Sequence, residues 1–193
     1  SDVWTVDDDG LDYPGADFSS IQDAIDAASD GEEILVFPGT YSDGSPTSGL
    51  SVVNMLGKEV WLHSSEGAEV TIIDGMYDEP STSWRGIYCA NGETSNTIIE
   101  GFTITNCYSS VGGGMACSSN PTLISCAFTG NTALFLGGGM LNTDGSPTLT
   151  NCTFTDNMAN FNSGGGIYNQ NSSPTLDGCT FTNNTATYYG GGM

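Results

Sequence analysis

The length, composition and charge of this 193-residue chain exclude several classes of protein. Two basic residues stand against 23 Asp and Glu residues, which gives a formal net charge of -21. A surface this acidic repels nucleic acids, anionic membranes and anionic polysaccharides unless a cation bridges the two partners. The sequence contains no run of about 18 apolar residues, so no membrane-inserted helix is predicted. The length is sufficient for one domain with its own hydrophobic core.

The first local signal along the chain is a cluster of aspartates. Asp7, Asp8, Asp9 and Asp12 surround Gly10. Carboxylates around a glycine turn suit Ca²⁺, which prefers oxygen ligands, although the spacing is too short for an EF-hand loop. A solvated acidic turn accounts for the same residues. The sequence leaves both interpretations open, and calcium is the one cofactor to be considered.

A short amphipathic helix is predicted to follow. Its apolar residues recur at i, i+3, i+4 and i+7, namely Ile21, Ala24, Ile25 and Ala28. Ser19 and Gln22 fit a capping box at its start. A buried strand over residues 34–37 comes next and ends at a Pro-Gly turn. Such a helix covers the open end of a stack of strands, which otherwise exposes core residues and unpaired backbone.

The strongest signal is an internal repeat of about 26 residues in the second half of the chain. Three consecutive glycines begin at positions 112, 137, 164 and 190. A Cys-x-Phe motif begins at positions 126, 152 and 179, and prolines at 121, 147 and 174 follow the same period. A unit of this length with short strands and no helix is too short for a βαβ crossover. It predicts one rung of a parallel β-solenoid.

Within each rung, Cys and Phe alternate with Thr, which predicts a strand with Cys and Phe inward and Thr outward. Stacked rungs bring each residue to about 4.8 Å from its counterpart in the next rung. The predicted inward ladders are Cys126, Cys152 and Cys179; Phe128, Phe154 and Phe181; and an amide ladder of Asn131, Asn157 and Asn184. The predicted outward face consists of Thr103, Thr105, Thr129, Thr153, Thr155, Thr180 and Thr182.

A column of small and polar residues precedes each of these strands. It consists of Gly101, Ser125, Asn151 and Gly178. Glycine and asparagine tolerate a left-handed backbone, so the column predicts a corner of the solenoid.

Two further cysteines suggest a covalent link. Cys89 and Cys117 occupy the same position of neighbouring rungs and would lie within bonding range, which predicts a disulfide between them. The interior Cys column is expected to stay reduced and to pack as small hydrophobic side chains. The chain has no CxxC pair and a single histidine, so a zinc site is not expected.

Two segments resemble known families. Residues 17–41, from Phe18-Ser19-Ser20-Ile21 to Gly39-Thr40-Tyr41, look like the entry into pectin-lyase-like right-handed β-helices. The motifs Phe128-Thr129-Gly130-Asn131 and their counterparts, each followed by a glycine triplet, resemble the FxxN and GGA-I/L/V repeats of chlamydial polymorphic outer-membrane proteins. Together these resemblances imply an all-β, right-handed parallel β-helix with a short N-terminal capping α-helix. They imply function only weakly, because this fold carries lyases, esterases, hydrolases and adhesins.

We interpret residues 1–193 as a single domain. Residues 1–45 form the cap and first strand, 46–85 irregular early rungs, and 86–193 the regular repeats. The chain stops where the next rung should begin. We therefore expect the N-terminal part of a longer protein, continued by further rungs or covered by another chain.

The sequence offers little for catalysis. Lys58 and Arg85 are the only basic side chains, and no aspartate cluster flanks either of them. Arg85 is expected to form a solvated ion pair with Asp78 or Glu79 in a loop between rungs. No catalytic residue is predicted.

Composition and repeat type favour export, and the predicted protein is a secreted or cell-surface, non-catalytic adhesin or extracellular scaffold. Its expected partner is a protein or a glycan. One alternative is a carbohydrate-binding or polysaccharide-degrading module of a larger enzyme. A lesser alternative is ice binding through the Thr-x-Thr face. Aromatic residues before each glycine triplet either form an exposed ridge or pack inward: Tyr108, Phe135, Phe161, Tyr188 and Tyr189.

Overall fold

The computed structural model describes residues 2–42, 50–76 and 84–193. The first elements are β1 (Val3–Val6), α1 (Ile21–Ala27), β2 (Glu33–Val36), β3 (Gly39–Tyr41), β4 (Ser51–Asn54), β5 (Trp61–Ser64), β6 (Thr71–Asp74) and β7 (Arg85–Cys89). The next are β8 (Ile98–Glu100), β9 (Thr103–Thr105), β10 (Tyr108–Val111), β11 (Met115–Cys117), β12 (Thr122–Ile124), β13 (Ala127–Thr129), β14 (Thr132–Leu136) and β15 (Met140–Thr143). The last are β16 (Thr148–Thr150), β17 (Thr153–Thr155), β18 (Met158–Ala159), β19 (Ile167–Gln170), β20 (Thr175–Asp177), β21 (Thr180–Thr182) and β22 (Thr185–Ala186).

These strands stack into four parallel sheets, each built from one strand per turn. The seven-stranded sheet runs β1-β2-β5-β8-β12-β16-β20, and the six-stranded sheet runs β3-β6-β9-β13-β17-β21. The five-stranded sheet runs β4-β7-β11-β15-β19, and the four-stranded sheet runs β10-β14-β18-β22. The chain therefore returns to the same sheet after each turn. The predicted all-β, right-handed parallel β-helix with a short capping helix is confirmed.

Equivalent residues of neighbouring regular rungs pair directly with each other. Phe128 pairs with Phe154, which pairs with Phe181. The rings stack with centroids 4.8 Å and 5.0 Å apart and planes within 1° and 8° of parallel. The first two rings are fully buried, as are the preceding thiols of Cys126 and Cys152, while Cys179 and Phe181 are half-buried. The Cys and Phe ladders thus form the centre of the core.

The corner predicted before each of these strands is confirmed. Gly101, Ser125, Asn151 and Gly178 have φ values of 77°, 50°, 53° and 64°. Asparagine and glycine are the residues that adopt this left-handed conformation most readily. The column therefore redirects the chain from the seven-stranded to the six-stranded sheet in every regular rung.

The glycine triplets allow the turns to approach each other closely. Gly137 has a φ of 67°, and a Cβ atom on Gly138 or Gly139 would collide with the carbonyl oxygen of Gly165 or Gly166 in the next rung. The Gly138 and Gly139 amides donate to carbonyls of that rung over 3.0 Å. Only glycine fits such a backbone-to-backbone contact.

The amide ladder of Asn131, Asn157 and Asn184 is continuous. Asn157 Nδ2 donates to Phe128 O over 2.8 Å and to Asn184 Oδ1 over 2.9 Å. Asn157 Oδ1 accepts from the backbone N–H of Asn131 over 3.0 Å and from its Nδ2 over 3.1 Å. Asn131 and Asn157 are fully buried, so these bonds satisfy polar groups that water cannot reach.

Helix α1 is capped by Ser20, whose side chain accepts a hydrogen bond from Asp23 N. The predicted capping box of Ser19 and Gln22 is therefore wrong. Gln22 is fully buried and instead bonds the backbone of Asn54, accepting from its N–H over 2.7 Å and donating to its carbonyl over 3.2 Å. Because this side chain faces the stack of strands, it cannot turn back to cap its own helix.

Cys89 and Cys117 are directly in register on β7 and β11, yet both are buried free thiols. The predicted disulfide is therefore absent from the structure. Paired residues on adjacent strands project their Cβ atoms in parallel at about the 4.8 Å strand spacing, whereas a disulfide needs Cβ atoms about 3.8 Å apart. Burial raises the pKa of the Cys89 thiol well above its ordinary value, which keeps it protonated.

Candidate functional site

Lys58 holds the end of the capping helix. Its Nζ atom donates to the carbonyl oxygens of Ile25, Asp26 and Ala28 over 2.5, 2.9 and 2.7 Å. The last carbonyls of a helix lack partners within the helix and carry its negative dipole end, so an ammonium group suits them. All three Lys58 donors are used in this contact, which anchors α1 to the early rungs.

Arg85 likewise donates hydrogen bonds to backbone carbonyl oxygens, at the first glycine triplet. Its Nε donates to Gly112 O over 3.0 Å, and one terminal nitrogen donates to Val111 O over 3.0 Å and to Ser109 Oγ over 2.9 Å. The guanidinium carbon lies 5.4 Å from the ring centroid of Tyr88, and burial lowers the pKa of Arg85. The ion-pair partners predicted for Arg85, at positions 78 and 79, lie outside the described residues. Both basic side chains are thus bound to backbone.

Replacing Lys58 with methionine is expected to destabilise the cap by about 1–2 kcal/mol, because three helix carbonyls lose their partner. Urea denaturation at 0.1 M and 1 M NaCl measures the effect. The loss should persist at high salt, since these are hydrogen bonds in a partly buried site. A loss that disappears in salt would mean that Lys58 acts only through the net charge of the chain.

The aspartate cluster divides into two parts. One oxygen from each of Asp7, Asp9 and Asp12 lies within 4.8 Å of the others. Asp8 points elsewhere, because its Oδ2 accepts from the backbone N–H of Thr40 over 2.9 Å. Asp8, the fourth candidate calcium ligand of the sequence, is not part of this group of three, and its carboxylate ties the first turn to the second.

Large aromatic side chains line one edge of the solenoid, where the four-stranded sheet leads into each glycine triplet. Phe135, Phe161, Tyr188 and Tyr189 are 44%, 61%, 68% and 78% exposed, and we call these four residues the aromatic edge. The Phe161 amide donates to Leu134 O over 2.9 Å, which sets Phe161 beside Phe135 on the neighbouring rung. Of the two interpretations that the sequence left open, exposure holds for these four, while Tyr108 is half-buried.

The outward threonines form two columns on the six-stranded sheet, which we call the threonine face. One column is Thr103, Ala127, Thr153 and Thr180, and the other is Thr105, Thr129, Thr155 and Thr182. A third column, not predicted from the sequence, lies on the neighbouring seven-stranded sheet and consists of Thr122, Thr148 and Thr175. The recurring Pro-Thr dipeptide, whose Thr is the first residue of each of these strands, was the available signal. Threonine hydroxyls therefore cover parts of two adjoining sheets.

A polar aromatic cluster on the early rungs was also not predicted from the sequence. It consists of Trp61, His63, Glu33 and Glu100, and we call it the Trp61 cluster. The rings of Trp61 and His63 stack with centroids 4.0 Å apart on the outside of the seven-stranded sheet. His63 Nε2 lies 2.9 Å from Glu33 Oε1, and Trp61 Nε1 donates to Glu100 Oε2 over 3.0 Å. Trp61 is 39% exposed. The cluster offers a carboxylate-flanked aromatic surface to solvent.

Parallel strands that return to the same sheets, with identical residues stacked between turns, define the protein as a parallel β-solenoid. The chain belongs to the right-handed β-helix family, because the protein-family model described as "Right handed beta helix region" matches residues 54–193. No curated protein and no solved structure matches the chain. Among the described residues, no helix is long and apolar enough to cross a membrane.

Proposed function

We propose that this chain is a secreted or cell-surface scaffold that binds a partner, as an adhesin does, without catalysing a reaction on it. The observation that carries the proposal is the aromatic edge. Burying a Phe side chain is worth about 1.5–3 kcal/mol, so a row of exposed rings on successive rungs favours an interaction surface over chance exposure. The stacked strands beneath the edge place these rings on the same side of neighbouring rungs, which suits an extended partner.

The charge of the chain narrows the class of partner. At a net charge of -21, the protein repels polyanions such as polyuronates. Neutral glycans and proteins without a strong negative charge remain compatible. Aromatic rings stack on the apolar faces of sugar rings, so a neutral glycan is our leading choice and a protein is the second.

The proposal is tested by binding of the chain to an array of neutral and acidic glycans and to extracellular protein surfaces. The double variant Phe135→Ser/Phe161→Ser is expected to lose at least about tenfold in affinity, equal to about 1.4 kcal/mol. The control Leu11→Ser/Leu50→Ser removes two side chains that are 79% and 80% exposed and lie outside the aromatic edge. An equal loss in the control, or none in the Phe variant, would exclude the edge as the binding surface.

The Trp61 cluster favours a second candidate, a carbohydrate-active module of a larger protein. An exposed indole beside carboxylates is a common means of binding sugars through stacking and hydrogen bonds. Incubation with uronate polymers and neutral polysaccharides distinguishes this candidate from the first. Any turnover that is lost on Glu33→Gln or Glu100→Gln would contradict the non-catalytic role.

The threonine face supports ice binding as a lesser candidate. Its hydroxyls repeat at about 4.8 Å between rungs and about 6.7 Å along each strand. Ala127 interrupts one column, and threonine is also a common residue on solvated sheets. Thermal hysteresis in the wild-type solution would move this candidate ahead of the first.

A further inference from the structure

The acidic loop, residues 7–12, gathers three carboxylates directly after β1. One oxygen from each of Asp7, Asp9 and Asp12 lies within 4.8 Å of the other two. Like charges at this separation repel each other, so the arrangement is unfavourable without a counter-ion. Acidic clusters are nevertheless common on protein surfaces, and clustering alone does not indicate a ligand.

Asp7 supplies an independent indication. The residue is only 3% exposed, and its Oδ2 accepts from the backbone N–H of Tyr13 over 2.5 Å. Its other oxygen, Oδ1, is buried and has no hydrogen-bond partner among the described residues, 2–42, 50–76 and 84–193. A buried carboxylate oxygen without a donor is costly, and such groups are rare in native proteins. A cation beside this oxygen would remove the cost and would also neutralise the repulsion within the cluster.

The surrounding structure holds the loop in place. The Asp7 amide donates to Phe18 O over 3.1 Å, and this bond joins the two ends of the segment 7–18 that contains the loop. The ring of Tyr13 stacks on Phe37 of the following rung, with centroids 4.6 Å apart and planes 3° from parallel. Asp9 Oδ1 accepts from Leu11 N over 2.8 Å. Three carboxylates are therefore presented together before any ligand arrives, which lowers the entropy cost of binding.

We propose that Asp7, Asp9 and Asp12 bind one Ca²⁺ ion, which fastens the loop to the capped end of the solenoid. Calcium takes six to eight oxygen ligands in irregular geometry, so three carboxylates completed by water suit it. Mg²⁺ demands a near-ideal octahedron and gives up its water reluctantly, so it should bind more weakly. This site does not depend on the aromatic edge or on the partner proposed for it.

The test is calorimetric titration of the full chain with CaCl₂ in 0.15 M NaCl, together with thermal melting in 10 mM CaCl₂ and in EGTA. We expect one saturable site with a Kd of about 10⁻⁴–10⁻³ M, in the range of extracellular calcium modules. Calcium should raise the melting temperature by about 3–10 °C. The variant Asp9→Asn/Asp12→Asn keeps the side-chain oxygen that bonds Leu11 N, and it should lose at least about tenfold in affinity.

The matched control is Glu66→Gln/Glu69→Gln, which removes the same two negative charges from exposed positions outside the loop. The control should bind calcium like the wild type. Equal binding by wild type and Asp9→Asn/Asp12→Asn, or weak binding at many sites without saturation, would overturn the proposal. Equal melting temperatures of the wild type in calcium and in EGTA would overturn it as well.

Discussion

Replacing Phe154 with alanine is expected to lower the free energy of unfolding by about 3–5 kcal/mol, the range for a buried Phe that leaves a cavity. Phe154 is the middle ring of the Phe ladder and is fully buried between Phe128 and Phe181. Its removal takes away both ring stacks at once, and the rigid backbone ladders above and below limit collapse into the space. Urea denaturation gives the free energy, and hydrogen exchange shows where protection is lost. In a solenoid each rung contacts mainly its neighbours, so the loss should be concentrated in the adjoining rungs.

Phe161→Ala is the matched control for this prediction. It deletes the same atoms seven residues further along, from a side chain that is 61% exposed. Its cost should stay below about 1 kcal/mol, because most surface substitutions have small effects. If Phe154→Ala fails to fold, Phe154→Leu, which removes less volume, should fold with a smaller loss. Equal destabilisation by the two alanine variants would contradict the inward position of the Phe ladder.

Replacing Asn157 with alanine is expected to cost about 2–5 kcal/mol. The change leaves the buried Asn131 amide N–H without its partner, at about 1–3 kcal/mol for an unsatisfied group, and removes the side-chain hydrogen bond to the Phe128 carbonyl oxygen. It also interrupts the ladder on both sides, since Asn157 bonds to Asn131 and to Asn184. Thermal and urea unfolding measure the loss.

Asn160→Ala provides the comparison for the amide ladder. Asn160 follows in the same rung but is only half-buried and lies outside the ladder. Its replacement should change the free energy of unfolding by less than about 0.5 kcal/mol. If Asn157→Ala lowers the free energy of unfolding no more than Asn160→Ala does, the stacked amides contribute little more to stability than a partly exposed asparagine.

Much of the fold could be predicted because a stacked repeat turns a sequence period into a spatial contact. The interval between Phe128 and Phe154 is also the interval of the strand register, so residues far apart in sequence could be paired by counting. The left-handed corner at Asn151 was recognisable for a similar reason, because three of the four residues in its column are Gly or Asn, which tolerate the conformation.

The remaining features depend on contacts that the sequence repeat does not predict. Trp61 pairs with Glu33 on one side and with Ile98 on the other, at unequal intervals of 28 and 37 residues. The early rungs vary in length, so the Trp61 cluster could not be assembled by counting. Nor does the sequence indicate that the Lys58 ammonium group reaches back to the helix.

The cysteine pair illustrates a different limit. The register of Cys89 with Cys117 was correctly inferred, but register in a parallel sheet is not the geometry of a disulfide. The exposure of the aromatic edge could not be predicted from the sequence either, because alternation in a short irregular segment does not decide whether a ring points in or out.

The direct pairing of like residues from turn to turn has a consequence for how such a molecule can change its length. Each regular turn meets the next through almost the same set of surfaces, as Phe128, Phe154 and Phe181 illustrate. Duplicating one complete unit in the gene would lengthen the rod by about 4.8 Å and reproduce contacts that already exist. Losing one would shorten it by the same step. A partial unit would instead set inward side chains against outward ones, so whole-unit changes are the tolerated route by which this architecture evolves in size.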